Sequence, residues 1–350
     1  MSAATLDVAV PGAAVRWRPA RVRLAWIIGG TAALGALVVV SVAFGTRGVS
    51  FTDVVGALTG TGRGDELGRA AVEKRVPRTV LAILVGASLA VAGTTMQAVT
   101  RNPLAEPGIL GVSSGAALAI VIGIATFQLS DPYGFVAVAV IGSAGAAALV
   151  YAIGSLGRGG ATPLKLALAG AAMSAAFTSL VNAILLPRVD VLSSFRFWQI
   201  GGVGGATWDR LGVAAPFLAL GLAICLLNAR GMNMLALGDD LAAGLGAQVA
   251  RTRLASAVGA VILCGTATAF AGPIGFVGLV VPHVCRLVVG TDHRWLLPSC
   301  AVGGAALLVG ADVLGRVIAR PDEIEVGIVT AVVGAPVLIW VVRRQKLREL

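Results

Sequence analysis

Charge is scarce in this chain. Only 13% of its 350 residues are Asp, Glu, Lys or Arg, against about 25% in an average soluble domain. So few charges cannot cover the surface of a water-soluble domain of this length, which excludes a soluble enzyme or binding module. Histidine is scarcer still, with 2 in the whole chain. The four cysteines, Cys225, Cys264, Cys285 and Cys300, lie in or beside apolar runs without metal-ligand spacing. They read as small buried hydrophobes. His283 and His293 do not complete a metal set with them, and His293, in TDHRW, reads as a loop residue. No GxxxxGK[ST] stretch occurs, so the chain carries no P-loop for ATP. Soluble domains are absent too: the longest polar stretch is 46–77, where GRGDELGRA (62–70) reads as a turn.

What remains is apolar: 57% of residues are hydrophobic and the mean hydropathy is +0.91. A membrane-crossing helix needs roughly 20 apolar residues. Ten candidate runs meet or approach this, at 24–45, 78–100, 108–127, 134–156, 164–186, 211–228, 252–271, 275–290, 296–316 and 326–342. They are continuous rather than alternating, which excludes a transmembrane β-barrel. The expected fold is an all-α integral membrane protein of about ten transmembrane helices, with one domain over 24–343 between short tails at 1–23 and 344–350. The stretch 187–210, with FWQIGGVGGATW, is too short and glycine-rich to span, and reads as a helix or re-entrant turn at one surface.

Arg16, Arg18, Arg21 and Arg23 precede a first run longer than a signal-peptide core, so 1–23 reads as a cytoplasmic tail. Ten crossings then put both termini inside. Counted loop by loop on this topology, the whole net charge of +10 falls on the inner side, as the positive-inside rule requires. The high pI thus reflects topology in the cytoplasmic membrane, and a nucleic-acid partner is not needed.

Two stretches echo one another: MQAVTRNPLAEPGILGVSSG (96–115) and TATAFAGPIGFVGLVVPH (266–283). Each is a Pro/Gly break followed by a Gly-rich helix start, the first expected to face inward and the second outward. Runs two to five and seven to ten are therefore expected to be inverted repeats, as in many transporters. On the fifth run, Gly170, Ser174, Thr178 and Asn182 recur every four residues and share one face. That face either lines a polar translocation path or makes interhelical hydrogen bonds.

The stretch RNPLAEPGILGVSSGA (101–116) shows why the chain breaks there. Proline removes a backbone donor and pushes the preceding residue out of helix, so NPLAEP closes one helix and GILGVSSG opens the next. Together with LALGDDLAAGLG (235–246), AGPIGFVGLVVPHVCRLVVGTDHRWLLP (271–298) and RPDEIEVGIVTAVVGAPVLIW (320–340), it resembles the permease subunits of ABC importers for iron–siderophore complexes, haem and cobalamin, over nearly all of 24–343. The resemblance implies ten spans and a permease that does no covalent chemistry. It implies a second permease chain, two cytoplasmic ATPase subunits that bind the ATP and Mg, and an extracytoplasmic binding protein that delivers the substrate. This chain itself would hold no cofactor.

By the same resemblance, Ala236, Leu237, Gly238, Asp239, Asp240, Ala242, Leu245 and Gly246 form short coupling helices in a cleft of the ATPase. Arg75, Arg78 and Arg316 receive the acidic residues of the binding protein, with Arg320 beside them. Thr162, Pro163 and Leu164 match the cytoplasmic gate, although the small hydroxyl residues of the cobalamin protein are replaced here. The stretch RPDEIEVGIVTA is closer to siderophore permeases, so a ferric siderophore is the expected cargo, with haem or cobalamin as alternatives. A secondary transporter driven by an ion gradient would need intramembrane carboxylates; Glu106 and Asp312 are its candidates, both near run ends.

Overall fold

The computed structural model describes residues 19–61, 64–108, 110–129, 131–156, 162–188, 192, 195 and 199–346. Among them there are helices and connections but no strands. The helices are α1 (Ala20–Ala43), α2 (Phe51–Thr59), α3 (Glu66–Thr100), α4 (Val112–Phe127), α5 (Pro132–Ser155), α6 (Pro163–Leu185), α7 (Trp208–Leu227), α8 (Ala229–Leu235), α9 (Asp239–Gly244), α10 (Val249–Ala271), α11 (Val277–Val289), α12 (His293–Ile318) and α13 (Val326–Lys346).

Each of the ten expected runs becomes a helix. Seven are long and apolar enough to cross a membrane, whereas α4, α11 and the apolar part of α13 are shorter. Beyond the ten stand α2, α8 and α9, all short. One boundary moved far: α3 begins at Glu66, well inside the stretch read as a polar loop and turn. Asp65 caps it by accepting from the Gly68 N–H, and Pro77 is accommodated inside the helix. α2 carries a full capping box between Ser50 and Asp53, which satisfies two orphan donors at once.

The core is built on α3 and α10, whose most apolar windows are 78% and 72% buried, against 11% for α1. Within a membrane the drive to associate is dispersion between closely fitted backbones rather than escape from water. Glycines set that fit. A methyl group on Gly93 (α3) would overlap the carbonyl of Gly278 (α11), and one on Gly86 (α3) would overlap that of Gly304 (α12). α4 meets α5 the same way, through Gly115 and Gly142.

The hydrogen bonds sort the molecule into two ends. At one, Arg23 at the start of α1 pairs with Asp292 before α12, Asn233 of α8 bonds Asp292 at 2.7 Å, and Arg101 after α3 pairs with Asp239 of α9. At the other lie the start of α3, the end of α12 and the end of α1, joined by Arg316 to Ser41 at 2.7 Å. His293 is not a loop residue: it is the first residue of α12, buried, with its Nδ1 2.8 Å from Asn233 Oδ1. Asp292 supplies the N-cap, a role TDHRW concealed among its other polar residues.

The Gly93 crossing gives a direct test. Gly93→Val is expected to cost about 2 kcal/mol or more by overpacking, seen as a lower melting midpoint and yield in detergent. Gly35→Val on α1, where nothing lies within 4 Å of an added Cβ, should leave both nearly unchanged.

Candidate functional site

The two Pro/Gly breaks meet. Segment 101–111, between α3 and α4, and segment 272–276, between α10 and α11, share a cavity of about 140 Å³ lined by Glu106, Pro107, Gly108, Ser113, Pro273 and Gly275 among others. The sequence expectation set one break facing inward and the other outward; in the fold their tips touch. In each, a long helix ends and a short one begins, 16 residues in α4 and 13 in α11. Phe276 opens α11 in the left-handed region, φ 68°, an uncommon conformation outside glycine. The absence of a side chain on Gly334 leaves room for its ring.

A second cavity, about 260 Å³, adjoins the first and shares Gly108, Ser113 and Pro273 with it. Ser114, Ser174, Thr178 and Gln199 supply further polar lining. Ser114 Oγ donates to Ser174 Oγ at 3.2 Å. Of the four residues expected on the path, Ser174 and Thr178 line this cavity, while Gly170, buried, and Asn182, exposed, are outside its lining. Ser113, Ser114 and Gln199 were not singled out from the sequence. The signal for the serines was their position right after a break. The stretch 199–207 is partly exposed, with Ile200, Gly204 and Gly205 open and Gly201 and Val203 buried, and the Gly202 N–H donates to Ala271 O at 2.8 Å and the Gly327 N–H to Gly201 O at 3.0 Å, tying it to the second break and to α13.

The expected gate residues begin α6. Thr162 is its N-cap, accepting from the Lys165 N–H, Pro163 is the first helical residue, and the Leu164 side chain is exposed. The expected coupling residues form one compact unit. Gly238, at φ 102°, turns the chain into α9, which opens on Asp239 and Asp240, and Gly246, at φ 83°, follows its end. Acids in a first turn and glycine after a last turn suit a helix. Ala242 is fully buried, while Leu237, Leu241 and Leu245, spaced by four, are 54%, 64% and 66% exposed. Asp239 Oδ1 accepts from Arg101 at 2.7 Å and from Arg253 at 2.9 Å; neither arginine was picked out beforehand.

The three expected docking arginines lie together at the opposite end, with most of their donors turned inward. Arg75 is 7% exposed and donates to the carbonyls of Val42, Ala43 and Arg47. Arg316 is 2% exposed; it donates to Ser41 and Phe44 carbonyls and pairs with Asp312 at 2.9 Å. Neither offers a free guanidinium fork. Arg78 grips Asp312 Oδ1 through Nε and Nη2, at 2.9 and 2.7 Å, and Glu323 through Nη1 at 2.6 Å. Arg320 nearby is exposed. The spacing i, i+4 of Asp312 and Arg316 on a helix was the available signal for this pairing.

A model of the FecCD transport family matches residues 33–344. The chain belongs to the FecCD transport family. Among its FecCD relatives is a probable siderophore transport system permease protein of Bacillus subtilis (strain 168), 44% identical over 87% of this chain and 91% of the relative. The ferric enterobactin transport system permease protein FepD of Escherichia coli (strain K12) is 42% identical over the same shares, 87% and 91%. A solved structure described as a metal-chelate type ABC transporter in an inward-facing conformation superposes with a TM-score of 0.78 at 29% identity, covering 92% of this chain and 99% of the other. The FecCD chain is thus a multi-pass membrane permease of the ABC importer type.

The buried charge cluster generates the next prediction. Asp312, 1% exposed, balances two arginines, and removing one partner of a buried pair costs about 3–5 kcal/mol. Asp312→Ala should therefore sharply reduce folded protein. Glu323→Ala, at the exposed edge, should cost under about 1 kcal/mol. Thermal melts of the purified permease read both.

Proposed function

We propose that this chain is the permease of an ATP-driven importer that passes a ferric siderophore inward by alternating access. The observation that carries the mechanism is the meeting of the two breaks beside a hydroxyl-lined cavity. Non-helical backbone at membrane depth is tolerated where it is buried in protein or lines a cavity, and broken helices are where transporters place their substrate routes. The siderophore assignment is supported by the siderophore and ferric enterobactin permeases among the relatives and by the stretch RPDEIEVGIVTA. Haem or cobalamin is the alternative cargo.

The topology belongs to the same proposal: ten crossings, both termini cytoplasmic, and two inverted halves, α3–α6 and α10–α13. In each half a long helix, a break and a short helix follow in order. The end carrying α9 is then cytoplasmic. Its exposed leucines, Leu237, Leu241 and Leu245, are the contact for a separate ATPase subunit, two of which would serve a pair of permease chains and hold ATP and Mg. The Arg78 end is external and receives the binding protein. There Arg78 and exposed Arg320 make the contact, while Arg75 and Arg316 hold the ends of α1 and α12 beneath them. Ser174 and Thr178, with Ser114, line the path; Gly170 lets it narrow and Asn182 faces the second permease chain. Thr162, Pro163 and Leu164 form the cytoplasmic gate, with exposed Leu164 meeting its counterpart in that second chain.

The experiment is uptake in cells lacking this gene, using radioactive iron as ferric enterobactin, a ferric hydroxamate and ferric citrate, beside labelled haem and cobalamin. Loss of one ferric chelate, restored by the wild-type gene, is the expected outcome. Loss of haem or cobalamin uptake alone would replace the cargo and leave the importer standing. Leu241→Arg should leave the protein in the membrane but abolish uptake and co-purification of the ATPase. Uptake that persists with the partner ATPase deleted would sink the ATP-driven reading.

A further inference from the structure

We infer that Arg101, through its pairing with Asp239, is the positioning residue that carries motion of α9 into the broken segment 102–111 and so sets access to the Ser114–Ser174 cavity. The inference rests on α9 being the ATPase contact.

One carboxylate oxygen joins three elements. Asp239 Oδ1 lies at the start of α9 and accepts from Arg101, which caps the end of α3, and from Arg253, in the first turns of α10. α3 and α10 are the two helices that lead into the breaks. A displacement of α9 therefore pulls on both at their cytoplasmic ends. The side chains of the three residues are 32–42% exposed, and exposed ion pairs of this kind contribute little to stability. Two residues of positive φ stand at the contact. Arg101 sits at φ 50° and Gly238 at φ 102°, and Gly238 lies so close to the Arg101 guanidinium that an added Cβ would be 3.8 Å from Nη1.

From Arg101 the connection to the cavity is short, and it is hydrogen-bonded as far as Ala105. One turn earlier, Gln97 donates to Gly278 O at 3.2 Å and accepts from Arg286 at 2.5 Å, which fastens α3 to α11. Just after Arg101, the Asn102 N–H donates to Gln97 O at 3.2 Å. The N–H groups of Leu104 and Ala105 then donate to the Asn102 side chain and carbonyl at 3.0 and 3.1 Å. That stiff turn delivers Glu106 and Gly108 to the cavity walls. A rigid turn between a gripped residue and a cavity wall transmits displacement; a flexible loop would absorb it.

The test uses the permease in complex with its ATPase, purified and reconstituted in phospholipid vesicles. Ser114→Cys is placed in a background lacking the four native cysteines. Two quantities are read: ATP hydrolysis, and the rate at which a water-soluble maleimide labels the position-114 thiol, with ATP plus vanadate and without nucleotide. In the parent, nucleotide should change the labelling rate by about tenfold; Arg101→Ala should reduce that change to about twofold or less, the size of effect expected of a coupling residue. ATP hydrolysis should stay near the parent value, and Arg101→Lys should retain most of the nucleotide response. A structural role alone would lower hydrolysis and response together. Proportional loss of both, an unchanged response in Arg101→Ala, or a parent without any nucleotide response would each overturn the inference. The reading beneath it fails separately, if Leu241→Arg still co-purifies with the ATPase.

Discussion

The close approach of glycine-bearing backbones along α3 is the constraint on which the rest of the structure depends. In a bilayer, lipid tails are as apolar as leucine, so helices associate only where they fit better against each other than against lipid. Gly86 against Gly304 and Gly93 against Gly278 bring α3 within backbone contact of α12 and α11. That contact makes α3 a central post. Because α11 is seated on it at Gly278, the break that precedes α11 is delivered next to the break that follows α3. The cavities at the centre of the molecule are a consequence of that seating.

Around this post the polar groups are arranged by cost. Buried polar atoms need partners, and the two breaks find them in each other's surroundings and in the stretch 199–207, whose backbone bonds to Ala271 and Gly327. Among the described residues most charges lie toward the two ends, while Glu106 lines the cavity between the breaks. At one end Asp312 neutralises Arg78 and Arg316 in a nearly dry setting, and arginine donors finish the carbonyls left open by the end of α1. At the other, the Asp239 pairs are as short but more exposed.

Much of the fold was legible because its signals are local. Continuous apolar runs marked the helices, prolines at 103 and 107 and at 273 marked the breaks, and Gly238 and Gly246 bracketed α9. The start of α3 was missed because the charges of Glu66, Arg69, Glu73 and Lys74 keep the segment outside an apolar run, although Asp65 offers an N-cap. The lining of the second cavity was half legible: the four-residue spacing put Ser174 and Thr178 on one face of α6, but the facing Ser113 and Ser114 belong to another helix and no spacing rule links them. The buried arginines Arg75 and Arg316 were visible as charges in the sequence, while their orientation was not. A guanidinium turns to whichever acceptors tertiary packing leaves open, and here Ser41, Val42 and Phe44 lie over 30 positions away from Arg75 and over 270 from Arg316.

By itself, then, the sequence determined that this is a polytopic helical membrane protein, where its ten apolar runs lie, where two of them break, and which short helix stands apart with acids at its start. These follow from hydropathy, proline and glycine chemistry, and capping, all of which act within a few residues. Tertiary structure alone decided that the two breaks share one cavity, that Asp239 grips both long helices, and that Arg75 and Arg316 face inward. Each of those depends on atoms far apart in the chain being brought within 3 Å or so of one another, a distance set by helix packing and the length of a hydrogen bond.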